Sequence, residues 1–249
     1  MSAVIEEAVR KSDEVEGKVQ DLFGKVNDAL DWIPWPFDYL VQPITAGMEK
    51  LQAEVQKFWQ ELAEYLDNVG NPGKLQAHAE QWRDQVGNPI GAIADGIALE
   101  KLATNTEWTG SGAEAYKAIV PPQGDGLNKM KSLSIELSKT LQDLANGIED
   151  FWIAIGIALG SLVVGIVAAI VEACTVVAIP AAILTAIAAI GVAITFIGAA
   201  VVALKGIYDK IDTSQTTIKQ GITDLGTEWA RAEPRNQKKI DTPGQWETI

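Results

Sequence analysis

Apolar positions recur every three or four residues along most of this chain. In the first segment Ala8, Ser12, Val15, Val19, Leu22, Val26 and Leu30 fall on one stripe, the pattern of an amphipathic helix. Trp32-Ile-Pro-Trp-Pro-Phe37 ends that stripe, because the two prolines cannot continue a helix. The aromatic group Trp32, Trp35, Phe37 and Tyr39 suits either a membrane-interface belt or a packed elbow capping a bundle, and the elbow is the expectation. After Pro43 a second stripe runs through Ile44, Met48, Leu51, Val55, Phe58, Leu62 and Tyr65. Asn71-Pro-Gly73 reads as a turn. A third helix is predicted from Lys74, with Leu75, Ala79, Trp82 and Val86 on its face. Asn88-Pro89 kinks or restarts it, and Ile93 and Ile97 are expected to extend the apolar face.

Trp108-Thr-Gly110 breaks the pattern, and Gly110 with Gly112 permits a sharp reversal. A helix is predicted from about Ser111, interrupted at Pro121-Pro-Gln-Gly-Asp-Gly126. Met130, Leu133, Leu137, Leu141, Leu144 and Ile148 form the next stripe. Ile211, Ile218, Ile222, Leu225 and Trp229 repeat that spacing further on. These two arms are expected to pack antiparallel as a stem. Residues 230–249 are punctuated by Pro and Gly and read as a flexible tail.

Between the arms the charged positions all but vanish. From Phe151 to Leu204, 54 residues carry a single charge, Glu172. Phe151–Val171 would make a helix ~32 Å long and Ala181–Leu204 one of ~36 Å, at ~1.5 Å rise per residue. Either matches a bilayer core ~30 Å thick. Glu172 to Pro180 separates them as a tip, so the block reads as a hydrophobic helical hairpin with both stems on one side. At the tip Glu172 reaches water, whereas mid-bilayer it would cost about 2.5–3.5 kcal/mol. Gly156, Gly160, Gly165, Gly191 and Gly198 offer close-approach positions, with Gly156 and Gly160 in a GxxxG step. The alternative is that both helices form the buried core of a bundle.

Charge narrows the function classes. The chain carries −13 overall. Residues 1–150 hold 25 acids and 13 bases, and residues 205–249 hold 7 of each. Such an acidic surface repels phosphate, so no nucleic-acid partner is expected. Cys174 is the only cysteine and His78 the only histidine. Cys174 is expected to act as a small hydrophobe, and His78 to lie at the surface or boundary. No disulfide, metal site, cofactor site or catalytic constellation is expected, and the chain is not read as an enzyme. Met1-Ser-Ala-Val-Ile-Glu-Glu has neither a basic start nor an apolar core, so no cleavable signal peptide is expected.

Trp108-Thr-Gly-Ser-Gly-Ala113 with Tyr116 resembles the Trp-x-Gly-x-x-Ala-x-x-Tyr run of WXG proteins, small helical hairpins exported by the type VII secretion pathway. The resemblance covers residues 74–150. Tyr208 and Asp212 have the spacing of that family's Tyr-x-x-x-Asp/Glu export signal, although they lie beyond the apolar block. The resemblance implies secretion, with the type VII machinery or a WXG-type chain as partner. A hidden apolar hairpin on helical stems is also similar in architecture to α-helical pore-forming toxins.

The resulting expectation is an all-α, elongated bundle of five or six helices. Its parts are an acidic amphipathic bundle (1–150), a hydrophobic hairpin (151–204), a return stem helix (205–229) and the tail (230–249). The hairpin would insert into a lipid bilayer and form a homo-oligomeric pore or leak. The alternative is a non-lytic secretion partner, carrier or assembly-forming protein whose hairpin stays buried. A membrane-anchored component of the producing cell is the third reading.

Overall fold

The computed structural model describes residues 2–33 and 35–228. Among these residues the chain is all-α, with no strand. Helix α1 spans Ala3–Leu30 and buries Ile5, Ala8, Ser12, Val15, Val19, Leu22 and Val26, which is the predicted stripe from Ala8 to Val26 with one turn before it, while Leu30 is half-buried. Helix α2 spans Val41–Asp67. Pro43 is tolerated because it sits in the first turn, where a backbone N–H has no helical acceptor. Helix α3 (Pro72–Gln81) continues through a π-helical stretch, Trp82–Gly87, into α4 (Asn88–Gly96). Asn88 N–H donates five residues back, to the Arg83 carbonyl. The widened turn accommodates Pro89, which has no N–H to donate. A short α5 (Thr104–Glu107) precedes the two long helices, α6 (Ser111–Glu172) and α7 (Ile179–Glu228).

Helix α6 corrects one expectation. It passes through Pro121 and Pro122 without interruption. Each proline removes a helical hydrogen bond to the carbonyl four residues back. Ala118 and Pro121 are exposed, so water has access to the carbonyl freed there. The apolar face proposed through Ile93 also fails, because Ile93 is 56% exposed. The packed elbow fails for three of its four aromatics. Trp32, Trp35 and Tyr39 all stand open to solvent, and only Phe37 reaches the core.

The chain forms two compact units, Met1–Gly73 with Leu144–Tyr208 and Lys74–Asp143 with Asp209–Ile249. This grouping differs from the linear division at 150 and 204. The reason is that α1 and α2 pack on the apolar hairpin, while the WXG-like region packs on the outer lengths of α6 and α7. Trp229 and the tail 230–249 lie outside the described residues.

In the second unit α3 and α4 pack along α6. The Ser138 hydroxyl donates 2.6 Å to the Ala79 carbonyl in a buried contact. Gly87 lies against Ser134, and Gly91 against the Lys131 side chain. The return arm also meets α6 here, Gly221 sitting on Leu133 and the Ser214 hydroxyl 3.4 Å from a Glu136 carboxylate oxygen. His78 is exposed, with Nδ1 3.1 Å from Gln81 Oε1.

In the first unit four helical lengths share one core: α1, α2, Leu144–Glu172 of α6 and Ile179–Tyr208 of α7. The two hairpin helices run antiparallel. Gly165 faces Ala189 and Gly147 faces Ile207, so 18 residues back along α6 correspond to 18 forward along α7. Gly165 has no Cβ for a reason, since one built there would overlap the Ala189 methyl.

Candidate functional site

In the apolar hairpin an uncharged sequence meets an exposed surface. Its inner face is sheltered. On α7, Ile183, Ile190 and Ile197 recur every seven residues, alternating with Ala186, Ala193 and Ala200, and all six are buried. That heptad of large and small residues is a seam for knobs-into-holes packing. On α6 the buried side chains are bulkier, with Trp152, Ile155, Leu159, Leu162 and Ile166 at 0–1% exposure.

Specific contacts hold this inner face closed. Trp152 is fully buried, and its Nε1–H donates 2.9 Å to the Val69 carbonyl at the end of α2. Phe151 packs on Tyr65 with ring centroids 5.2 Å apart. Gly70, at φ +74°, turns the chain beneath Ile148, a conformation that favours glycine. Gly47 of α2 lies directly over Ile183 of α7. From α1, Lys11 Nζ donates 3.2 Å to the Gly156 carbonyl and stands 3.7 Å from the Glu7 carboxylate.

The outer face is bare. Ile153, Ile157, Val164, Val167, Val171, Val177, Leu184, Val192, Phe196 and Val202 are 40–72% exposed. A soluble monomer usually leaves such side chains scattered singly, whereas here they line the hairpin helices from end to end. Both helices are long and apolar enough to cross a membrane.

The predicted site residues divide between these faces. Phe151 and Trp152 are inside. Gly156 is buried and Gly160 half-buried, each beside the Lys11 side chain, so the GxxxG step faces α1 in this fold. Gly165 is at the α6–α7 contact, Gly191 and Gly198 are exposed, and Leu204 is half-buried. Glu172 is the last residue of α6 and is exposed at the tip, accepting 2.9 Å from the Thr185 hydroxyl. Pro180 falls in the first turn of α7, where it is compatible with the helix. Cys174, expected to act as a small hydrophobe, is exposed in the turn that follows α6.

The WXG-like turn has a defined local geometry. Gly110 takes φ +103° and α6 starts at the next residue. The Trp108 and Tyr116 rings lie 5.8 Å apart, across the first turns of the helix. Ala113 is fully buried and Trp108 is 43% exposed. A Cβ on Gly112 would come within 3.3 Å of the Trp108 ring. Tyr208 and Asp212 are exposed on α7.

Polar chemistry is sparse by comparison. Among the described residues no three His, Cys, Asp or Glu side chains stand together as a metal site. A cleft of about 410 Å³ in the second unit is lined by Pro122, Asp125, Gly126, Asn128, Lys129, Ser132 and Leu225. A hydrogen bond from Arg10 holds the Glu7 carboxyl below its usual range, and Arg83 does the same to Asp84. Both are surface ion pairs.

Lys11, Val69 and Gly47 were not singled out by their sequence context. Lys11 lies three residues from Ala8 and four from Val15, on the edge of the α1 stripe, and that spacing was the available sign. Comparison with protein families, with characterised proteins and with solved structures finds no match for this chain. The WXG resemblance therefore stands on Trp108, Gly110, Ala113 and Tyr116 alone.

Proposed function

We propose that this chain is a secreted, membrane-active helical protein whose hairpin, Phe151–Leu204, enters a target bilayer and assembles into a pore or leak. The two-sided hairpin is the observation that supports this. Its outer face is uncharged and uncovered, and its inner face is held by amphipathic helices that can be exchanged for other hairpins or for lipid. Export through a type VII route is part of the proposal, supported by the Trp108–Tyr116 turn. In the folded form the GxxxG step is occupied by α1. Close packing through Gly156 and Gly160 therefore becomes available only when α1 withdraws.

A second reading keeps the hairpin folded and docks its outer face on another protein, as a secretion partner, carrier or assembly subunit. The sheltered inner face favours it.

Dye release from liposomes by the full-length protein separates the two. The control carries Val164→Lys and Val192→Lys, both at exposed positions (70% and 50%) where the fold should tolerate them. A lysine near the membrane centre costs about 2.5–3.5 kcal/mol. Release by the wild type and loss of at least tenfold in the variant is the result expected for insertion. A wild type that never releases dye would leave the docking reading.

A further inference from the structure

The loop joining α1 to α2 lies beside the hairpin tip, with Phe37–Leu40 packed against Val176–Ala178. Leu40 is buried, and Phe37 and Val176 are half-buried against the same core. These contacts fix the loop at the tip. Its other aromatics are left open: Trp32 is 76%, Trp35 86% and Tyr39 65% exposed. Val171 and Val177 of the hairpin are also exposed there. Trp and Tyr combine an apolar ring with a polar N–H or O–H, and they concentrate where hydrocarbon meets headgroups. No contact within the described fold accounts for two open indoles and a phenol at the tip of a hairpin whose single charge is Glu172.

The charges at this end select the kind of surface. No Lys or Arg occurs between Lys25 and Lys50 or between Lys139 and Lys205. Asp31, Asp38 and Glu172 are exposed. An anionic membrane would repel such a tip, and only charges within about a Debye length contribute.

We infer that Trp32, Trp35 and Tyr39 form an interfacial anchor that seats the hairpin tip on an electrically neutral phospholipid surface. This rests on the membrane-active reading and adds which end leads and which lipid it meets.

The native Cys174 is exposed at the tip and is the only cysteine, so it can carry an environment-sensitive fluorophore in the full chain. Phosphatidylcholine vesicles should shift its emission to the blue. Trp32→Ala/Trp35→Ala should need at least tenfold more lipid for the half-maximal shift. Vesicles half phosphatidylglycerol should need severalfold more lipid than pure phosphatidylcholine at low salt. That gap should close with added salt or with Asp31→Asn/Asp38→Asn, an arm that decides the lipid preference independently of the tryptophan variant. Equal binding by the tryptophan variant, stronger binding to anionic vesicles, or no shift with any vesicle overturns the anchor. Dye release separates this inference from the reading it rests on. If both proteins bind and release alike, the anchor fails and the hairpin reading stands. If binding needs the tryptophans but no form releases dye, the anchor stands and insertion fails.

Discussion

Joining Gly47 to Ile183 by a disulfide would lock α2 onto the start of α7. A Cβ built on Gly47 lies 3.8 Å from the Ile183 Cβ, the mean separation in natural disulfides, ~3.8 Å. The closer neighbours of that Cβ, Ile183 Cγ2 at 3.2 Å and Cδ1 at 3.3 Å, disappear in Ile183→Cys. Cys174→Ser in the same protein prevents mispairing. The bond closes a loop of 136 residues, from 47 to 183, which on the chain-entropy relation stabilises the folded form by about 5 kcal/mol. Losing most of the buried Ile183 side chain costs roughly 2–4 kcal/mol. The reduced triple variant should therefore be less stable than the wild type. The oxidised form should melt about 10–20 °C above the reduced one, at ~2–4 °C per kcal/mol. If the hairpin must leave α2 to enter a bilayer, oxidised protein should release liposome contents at least tenfold more slowly, and dithiothreitol should restore release. Equal release by both forms would refute the reasoning, because insertion would then proceed with α2 still attached.

Three further outcomes follow from the same contacts. Trp152→Ala should lower unfolding stability by about 3–5 kcal/mol, while Trp152→Phe should cost roughly 1–3 kcal/mol by orphaning the Val69 carbonyl; urea titration measures both. Gly165→Val should destabilise the hairpin by about 1–3 kcal/mol, since its Cβ meets the Ala189 methyl and α6 and α7 must separate; an unchanged urea midpoint would show that the helices slide past each other freely. Gly160→Leu meets only the flexible end of Lys11, 3.3 Å from the added Cβ, so the folded protein should change by less than about 1 kcal/mol; dye release should drop severalfold if the GxxxG step packs hairpins together in the bilayer, and unaltered release would rule that step out.

The amphipathic elements were legible because their two faces differ. Ala8, Val15, Leu22 and Val26 are buried on α1 as their spacing requires, and Ile44, Leu51, Phe58 and Leu62 are buried on α2. The hairpin tip was legible from Glu172 and Pro180. Local signals misled where the surroundings outweighed them. Pro121-Pro122 carries the residue types of a break, yet α6 continues through it. Trp32 and Trp35 carry the residue type of a core, yet they are open.

By itself the sequence determined an all-α chain with one long apolar hairpin carrying a single charge, because helical periodicity and charge are properties of local residue order. It could not determine which side of that hairpin is covered. A helix apolar all round has no polar face to orient it, so the choice fell to shape: the Ile/Ala heptad of α7 and the small Gly156 and Gly165 let neighbouring helices approach, and the Val-rich opposite side of α6 was left outside. Only the tertiary structure brought Trp32, Trp35 and Tyr39 beside a tip about 140 residues away in sequence, since that proximity depends on α1 and α2 packing along the hairpin and not on any local pattern.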